Sequence, residues 1–233
     1  MTRNRIVDRW KEGQGKIVLD RLYEFFGHCS KQGHRLGPPD FLPLLNGLPL
    51  REEVANGRDL RGINLGITYD FDFRGFDFSW ASLMNMYHCD FSGAKFDRAT
   101  IEGGFHGTMI GASFVLAKLR NCGMEDSIAT NCCFDQADLY HAHCQRTNFQ
   151  NSSFKKAKCR GTVLIGANLI GCNFQKANLA QAIICEAKLD KTTDFRGARL
   201  TDMKHDAWRD RAGNILNQGV DWRQATWDET TEI

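Results

Sequence analysis

The sequence predicts an all-β solenoid in which the chain turns a corner every five residues. The first observation is a five-residue spacing of large apolar residues, seen at Leu169, Phe174 and Leu179 in the segment GANLIGCNFQKANLAQA. An α-helix repeats its apolar positions every three or four residues and a strand every two, so neither element produces this spacing. The second observation is a small residue two positions before each large one, such as Ala167 and Ala177. Two of every five side chains are therefore expected to fill a narrow interior.

The five-residue spacing continues through most of the second half of the chain. Steps of five lead from Phe114 to Leu189, and after a slip of one residue they continue at Phe195 and Leu200. Four corners close a coil of about 20 residues, and stacked coils pair as parallel strands about 4.8 Å apart. Ala129 is small for a large position, so we expect a bulge or a cavity beside it.

A longer period supports the stacking of coils. Phenylalanines recur at every fourth five-residue step and then, after the slip, once more, at Phe114, Phe134, Phe154, Phe174 and Phe195. Between residues 65 and 114 the period is 18, which predicts coils with two shortened faces. The predicted columns are Leu65, Leu83, Ile101 and Leu119; Tyr69, Tyr87 and Phe105; Phe73, Phe91 and Met109; and Phe78, Phe96 and Phe114, with Leu60 below Phe78. Residues 58–200 then form about seven coils and a rod of roughly 35 Å.

The repeats resemble those of the pentapeptide repeat family, which follow the pattern A(D/N)Lxx. Matching segments are ADLYH, ANLIG, ANLAQ and ARLTD, within residues 137–202. The resemblance implies a right-handed quadrilateral β-helix. It also implies a comparison with the quinolone-resistance (Qnr) proteins of this family, which imitate duplex DNA and bind gyrase.

Three regions are expected along the chain. Residues 1–54 form a helical N-terminal cap, residues 55–202 form the pentapeptide-repeat β-helix, and residues 203–233 form a C-terminal helix and loop cap with a terminal repeat coil. The open ends of a solenoid need such cover. Gly27 is expected to end the N-terminal helix, and Trp222 and Trp227 are expected to plug the last coil. The alternatives are a partner-binding N-terminal helix and a homodimer formed through an end cap.

Composition excludes several classes of protein. The formal net charge is +2, so no strong field favours nucleic acid or a membrane surface, and nucleic acid is not an expected partner. No apolar run approaches the roughly 18 residues of a membrane span. The N-terminus has no apolar stretch of a signal peptide, which predicts a cytoplasmic protein with reduced cysteines, and a secreted bacterial effector is the alternative.

No catalytic, cofactor or metal site is predicted. The P-loop, HExxH, GxSxG and dinucleotide motifs are absent from the sequence. Most cysteines fall at inward positions, where a thiol acts as a small apolar group. Asp70, His88 and His106 follow the 18-residue period and form a candidate surface column. That column is the expected location of a metal, a proton-linked partner or, in the enzyme alternative, an active site.

Charge is unevenly distributed along the rod. Residues 116–200 carry twelve Lys and Arg against seven Asp and Glu. A candidate basic strip on one face consists of Lys155, Lys156, Lys158, Arg160 and Lys176. Solvated surface charge is the alternative to a phosphate-binding track.

The leading prediction is a non-enzymatic protein that binds another protein or serves as a scaffold. A rod filled by its own side chains is expected to lack a pocket. The alternative is a DNA-mimic modulator of DNA gyrase or topoisomerase, as in Qnr-type antibiotic resistance. Mimicry requires an acidic rod, whereas residues 58–200 contain seventeen Lys and Arg against fourteen Asp and Glu.

Overall fold

The structure, a computed structural model, describes residues 7–29, 42–45 and 59–205. Its regular elements are helix α1 (Gly13–Cys29), a short 3-10 helix (Leu42–Leu45), and strands β1 (Asn64–Leu65), β2 (Thr68–Tyr69), β3 (Ser82–Asp90) and β4 (Thr100–Thr108). Strands β1, β2 and β4 all pair with β3 in the parallel sense. Within these residues, no helix combines the length and the hydropathy that crossing a membrane would require.

Residues 59–205 form stacked coils joined by parallel β-bridges. One column of bridges runs through Asp59, Asp77, Lys95, Ser113, Cys133, Ser153, Asn173 and Asp194. These seven steps, at about 4.8 Å each, give a length of about 34 Å. Four columns of bridges join each coil to the next. Between one pair of neighbouring coils these bridges are Ser113 with Cys133, Lys118 with Asp138, Gly123 with His143, and Ile128 with Asn148. The last interval of the first column is one residue longer than the interval before it, which confirms the predicted slip before Phe195.

The interior is filled by the two inward positions of each pentapeptide. The rings of the phenylalanine column stack face to face from Phe78 to Phe195, with centroids 4.6–5.2 Å apart and planes within 11°. All of these rings are buried. Leu60 donates its backbone N–H to Asp77 as Phe78 does to Lys95, so Leu60 begins the column as predicted.

The polar residue of the A(D/N)Lxx pattern stabilises the corners. The side chain of Asn168 accepts a hydrogen bond from the backbone N–H of Ile170, at 3.2 Å, and Asn178 does the same for Ala180, at 3.1 Å. This is an Asx turn, in which a short side chain takes over a backbone hydrogen bond. Asp and Asn are thus favoured at this position because they accept a donor that the turning backbone leaves unpaired.

The coils become two residues longer between the coil that contains β4 and the coil that follows it. Thr100 bridges Lys118, Gly104 bridges Gly123, and Thr108 bridges Ile128, so each bridge in turn spans one residue more than the bridge before it. Within the shorter coils, Gly103 and Gly104 of β4 together oppose Asn85 of β3, and the bulge at His88 then offsets this extra residue, so the two strands have the same spacing at both ends. A Cβ atom at Gly104 would lie 2.3 Å from the Tyr87 ring, so only glycine leaves room for that ring.

The irregularity at Gly103 and Gly104 corrects one predicted column. Tyr69, Tyr87 and Phe105 do not form an inward column, because Met86 pairs with Phe105 and Tyr87 pairs with His106. The buried residues at these levels are Thr68, Met86 and Phe105, whereas the side chains of Tyr69 and Tyr87 point outward. The extra glycine in β4 shifts its pairing with β3 by one residue, so Phe105 faces inward at the level of Met86 and His106 lies above the outward side chain of Tyr87.

Helix α1 packs on the first coil. The ring of Phe26 meets that of Phe71 edge to face, with centroids 4.7 Å apart, and Tyr23 donates its hydroxyl hydrogen to the carbonyl of Asn64. The helix continues past Gly27 to Cys29, so the prediction that Gly27 ends it was wrong. A glycine inside a helix costs only about 1 kcal/mol, less than the burial of an aromatic ring such as Phe26 contributes.

A buried ion-pair cluster joins the N-terminal segment to the same coil. The Asp59 carboxylate accepts hydrogen bonds from Arg9 at 2.8 and 2.9 Å, and from Arg61 at 2.8 and 2.9 Å. Burial raises the pKa of Asp59, but the hydrogen bonds from Arg61 and Arg9 outweigh it and lower the pKa to about 2. Trp10 donates its indole N–H to the carbonyl of Arg61, at 2.8 Å.

At the other end the ladder runs slightly further than expected. Lys204 bridges Ile183 and Met203 is buried, just past the predicted boundary at 202. Trp222 and Trp227 lie outside the described residues. The predicted cap and domain boundaries remain predictions.

Candidate functional site

A surface cleft of about 530 Å³ lies at the level where the coils lengthen. Its lining residues are Tyr87, His88, His106, Gly107, Thr108, Glu125, Asp126 and Ile128. The interior of the rod is filled as predicted, but the expectation that such a rod lacks a pocket was wrong. Coils of unequal length cannot superpose at every corner, so their mismatch opens a space on the outer surface. The bulge or cavity expected beside Ala129 stays a prediction, because Ala129 is buried in the interior and does not line this space.

An aromatic ladder forms one wall of the cleft. The ring of Tyr87 stacks between Tyr69, at 5.1 Å, and His106, at 5.6 Å between centroids. The Tyr87 hydroxyl donates to Asn85 Oδ1 at 3.1 Å, and the same oxygen accepts the backbone N–H of Gly104, also at 3.1 Å. Stacking on both faces and a fixed hydroxyl hold the Tyr87 ring in one orientation before any ligand arrives.

The next coil forms a second wall, which is acidic and partly apolar. His106 Nδ1 lies 3.0 Å from the carbonyl oxygen of Glu125, so this nitrogen carries the proton and donates it. Its Nε2 lies 3.7 Å from the Glu125 carboxylate. Hydrogen bonds from Arg146 at 2.6 and 2.7 Å hold the pKa of Asp126 below its usual value. Ile128 completes this wall with 44% of its surface exposed.

The predicted column of Asp70, His88 and His106 does not form. Asp70 and His88 do occupy equivalent corners, since Tyr69 pairs with Tyr87, and both have a left-handed backbone, with φ of 59° and 56°. His106, however, lies above Tyr87, and His88 is the bulged residue between two shifted pairs. His88 and His106 both line the cleft, whereas Asp70 is not among its lining residues. Within the described parts of the chain, no group of three or more His, Cys, Asp or Glu side chains is arranged to hold a metal.

The predicted basic strip is brought together on one face of the rod. Lys156 and Lys176 occupy the same corner on consecutive coils, with φ of 57° and 58°, and Lys158 bridges Asn178 in the next column. Lys158 and Arg160 are exposed on this face, and Lys155 lies across the corner, where its backbone N–H donates to Asp135. These residues, with Arg199, are called the basic face below.

Sequence reasoning missed Arg199 as a member of the basic face. Asn178 bridges Lys158 on one side and Arg199 on the other, so Arg199 continues that column. Following the column through the slip of one residue would have identified it. Arg196, the cation nearest the expected step, instead makes a bidentate pair with Asp194 at 2.6–3.0 Å. Its charge is therefore compensated locally.

Among the eight cysteines whose side chains the structure describes, those in the interior offer no nucleophile. Six are buried at inward positions, namely Cys89, Cys122, Cys132, Cys144, Cys159 and Cys172, whereas Cys133 and Cys185 are partly exposed. Burial raises the pKa of the Cys159 and Cys172 thiols to about 12. A protonated thiol is a poor nucleophile, so these groups serve as packing.

Comparison with known proteins identifies the repeats. The profile of the family described as pentapeptide repeats matches residues 132–168 and 162–202, with eight copies of the repeat. No curated protein sequence matches the chain.

Three solved structures are similar to this chain at low identity. A trypsin-treated variant of QnrB1, a plasmid-mediated fluoroquinolone resistance protein, is 18% identical over 72% of this chain and 90% of its own, with a TM-score of 0.32. HetL, involved in heterocyst differentiation regulation in Nostoc sp. strain PCC 7120, is 16% identical over 79% and 98%, with a TM-score of 0.30. A thylakoid lumen protein of Arabidopsis thaliana is 20% identical over 56% and 77%, with a TM-score of 0.25. Similarities at this level support no conclusion about function.

Proposed function

Since this chain is a pentapeptide repeat protein, we propose that it is a non-enzymatic binding protein whose cleft receives a segment of another protein. The proposal includes a right-handed quadrilateral coil, with α1 as the cap of its first turn. The packing of Phe26 on Phe71 supports that cap. The partly exposed free thiol of Cys133 supports a location in a reducing compartment such as the cytoplasm.

The observation that carries the proposal is the composition of the cleft. Rigid aromatic edges at Tyr87 and His106, an exposed aliphatic side chain at Ile128 and the carboxylate of Glu125 converge on one concave surface. Binding sites combine apolar contact area with a few oriented polar groups in this way. A peptide with an apolar residue next to a cationic one matches the acidic and apolar wall, because the apolar side chain meets Ile128 and the cation meets Glu125.

The chemistry of the cleft favours binding over catalysis. His106 uses Nδ1 on a backbone carbonyl, and Asp126 is paired with Arg146. The Tyr87 hydroxyl is bonded to Asn85. Catalysis would require an activated nucleophile or an acid and a base arranged around one reacting atom, and these three groups are each committed to a structural partner.

The DNA-mimic alternative is less well supported, because three of the five aspartates that could form an acidic face on the first coils (Asp59, Asp70, Asp72, Asp77 and Asp90) lie beside arginines. Asp59 is buried between Arg9 and Arg61, and Asp72 bonds Arg74. Asp90 also lies within 3.8 Å of Arg74. A mimic of duplex DNA needs about one uncompensated negative charge per 1.7 Å of its length.

Site-specific photo-cross-linking tests the proposed function. A benzophenone amino acid is placed at Ile128 and, in a matched control, at Ile110, which is also an isoleucine and is 43% exposed but does not line the cleft. In cells producing either variant, we expect one cross-linked protein from position 128 and none from position 110. The cross-link at 128 should be lost when Glu125→Gln is added to weaken the acidic wall. Equal labelling from both positions, or none from 128, would contradict the proposal.

A further inference from the structure

A second, smaller cavity lies on the basic face, away from the cleft. Its volume is about 220 Å³, and it is lined by Arg160, Asn178, Ala180, Gln181, Arg199, Thr201 and Asp202. Three stacked coils contribute to it. Ala180 lies between the levels of Arg160 and Thr201, and its methyl group leaves the space that a longer side chain would fill.

Each of the two arginines of this cavity is held in position through a single nitrogen of its own, Nε. Arg160 donates its Nε–H to Gln181 Oε1 at 3.0 Å, and Arg199 donates its Nε–H to Thr201 Oγ1 at 3.2 Å. Within the described part of the chain, no oxygen accepts a hydrogen bond from their terminal Nη groups. Each guanidinium is therefore oriented by the protein, while the edge that binds oxyanions stays available.

Several other arginines of the rod form ion pairs with aspartates through their guanidinium groups. Arg74, Arg120, Arg146 and Arg196 each bond an aspartate on the same or a neighbouring coil, at 2.5–2.7 Å. The ion pairs between described residues include neither Arg160 nor Arg199. Two guanidinium groups facing one small cavity repel each other, and exposed Lys158 next to them adds to the positive potential. Asp202, also exposed, is the acidic residue of the cavity lining.

We infer that this cavity binds the phosphate group of a phosphorylated partner protein. Two oriented guanidinium groups supply paired N–H donors to a tetrahedral oxyanion, and the Thr201 hydroxyl and the Asn178 amide lie in the same cavity. The cavity is large enough for one phosphate group and is open to solvent, so it suits a phosphorylated side chain that reaches in from a partner.

A nucleic acid is less favoured as the ligand. Single-stranded nucleic acids bind to surfaces where bases stack on exposed aromatic rings. The aromatic residue of this column is Tyr140, whose ring is covered by the Arg120 guanidinium at 5.6 Å and by His141 at 4.2 Å. The basic face therefore offers charge without a stacking surface.

Side-chain NMR of the full chain tests the inference. The protein, labelled with ¹⁵N-arginine, is titrated with O-phosphoserine, with inorganic phosphate, with sulfate and with a short DNA duplex, all at constant ionic strength. We expect the Nε–Hε signals of Arg160 and Arg199 to shift and saturate with both phosphate compounds. Arg160→Gln and Arg199→Gln should each weaken phosphoserine binding by about tenfold, because each removes a paired charge-assisted contact.

Arg120→Gln is the matched control. Arg120 lies in the same column as Arg160 and is also exposed, but its guanidinium is bonded to Asp138. Its replacement should leave phosphoserine binding unchanged. The inference is overturned if sulfate binds as well as phosphoserine, which indicates an adventitious ion only, or if Arg120→Gln weakens binding as much as Arg160→Gln. It is also overturned if the DNA duplex binds more tightly than phosphoserine. None of these outcomes depends on the cleft, so the proposed function is tested separately.

Discussion

Tyr87 stacks on His106 of the next coil, with ring centroids 5.6 Å apart, although the 18-residue period assigns Phe105 to that place. The displacement of one residue arises where Gly103 and Gly104 oppose Asn85. It places His106, and not Phe105, above the outward ring of Tyr87, so that both rings line the cleft. The irregular part of the rod is thus also the part where a ligand site can form.

Replacement of Gly104 should disturb this arrangement. A Cβ atom there would lie 2.3 Å from Tyr87 Cε1, so Gly104→Ala should lower the free energy of unfolding by about 1–3 kcal/mol. Gly66→Ala is the control, because nothing lies within 4 Å of its added Cβ atom. Urea titrations followed by circular dichroism measure both. Similar losses for the two variants would show that Tyr87 does not constrain position 104.

Truncation within the phenylalanine column should be costly. Phe154 stacks on Phe134 at 4.9 Å and on Phe174 at 4.8 Å. Phe154→Ala should lower the free energy of unfolding by about 3–5 kcal/mol, because it opens a cavity that stacked coils cannot close. Phe154→Leu should cost clearly less, since it retains most of the volume. Denaturant unfolding of both variants measures the difference, and equal losses would contradict the stacking argument.

The ion-pair cluster around Asp59 predicts a specific pH dependence. The folded-state pKa of the Asp59 carboxyl group is about 2, below the ordinary value of 3.8. The ionised carboxylate therefore stabilises the folded protein above about pH 4, and this stabilisation is lost as the pH falls towards 2. The shift corresponds to about 2 kcal/mol at neutral pH. Asp59→Asn should therefore lower the free energy of unfolding at pH 7 and reduce its decline between pH 4 and 2.

Asp126→Asn is the control for this measurement. Asp126 pairs with Arg146, but both side chains are more than 60% exposed. An exposed ion pair contributes roughly 0–1 kcal/mol, so this variant should remain close to the original protein at pH 7. If the two variants are destabilised equally, the Asp59 cluster does not anchor the N-terminal segment.

Thiol reactivity should follow the inward and outward positions. Cys133 and Cys185 are partly exposed and should react first with an alkylating reagent in the native protein. Cys144, Cys159 and Cys172 should remain unmodified, because burial keeps each thiol protonated and inaccessible. Mass spectrometry after short exposure identifies the modified peptides, and urea-unfolded protein provides the fully reactive control. Rapid labelling of Cys159 in the folded state would contradict its inward position.

A supercoiling assay separates the binding proposal from DNA mimicry. We expect the protein neither to inhibit gyrase supercoiling nor to protect gyrase from quinolones, because Asp59, Asp72 and Asp90 lie beside arginines. Low salt is the most sensitive condition, since charge-driven binding is strongest there. Inhibition at micromolar protein that is abolished by neutralising Asp59, Asp70, Asp72, Asp77 and Asp90 would instead support the DNA-mimic alternative.

The sequence by itself determined the architecture of the rod. The five-residue spacing, the small residue before each large one and the regular recurrence of Phe114, Phe134 and Phe154 are local patterns, and each repeats often enough to be read without coordinates. The slip of one residue before Phe195 could also be predicted from the sequence, because the five-residue spacing resumes unchanged after it. The candidate basic strip was predicted from the same repeat spacing.

Only the tertiary structure decided which residues meet at the cleft and in the Arg160–Arg199 cavity. Ser82 pairs with Thr100 and Asp90 pairs with Thr108 at the same spacing in sequence, yet an added glycine in β4 and the bulge at His88 offset each other between these two pairs. Spacing counts residues, whereas pairing depends on where an extra residue can be accommodated without a clash. Glycine at 103 and 104 allowed it there, and for that reason His106 lies on Tyr87 and not on His88.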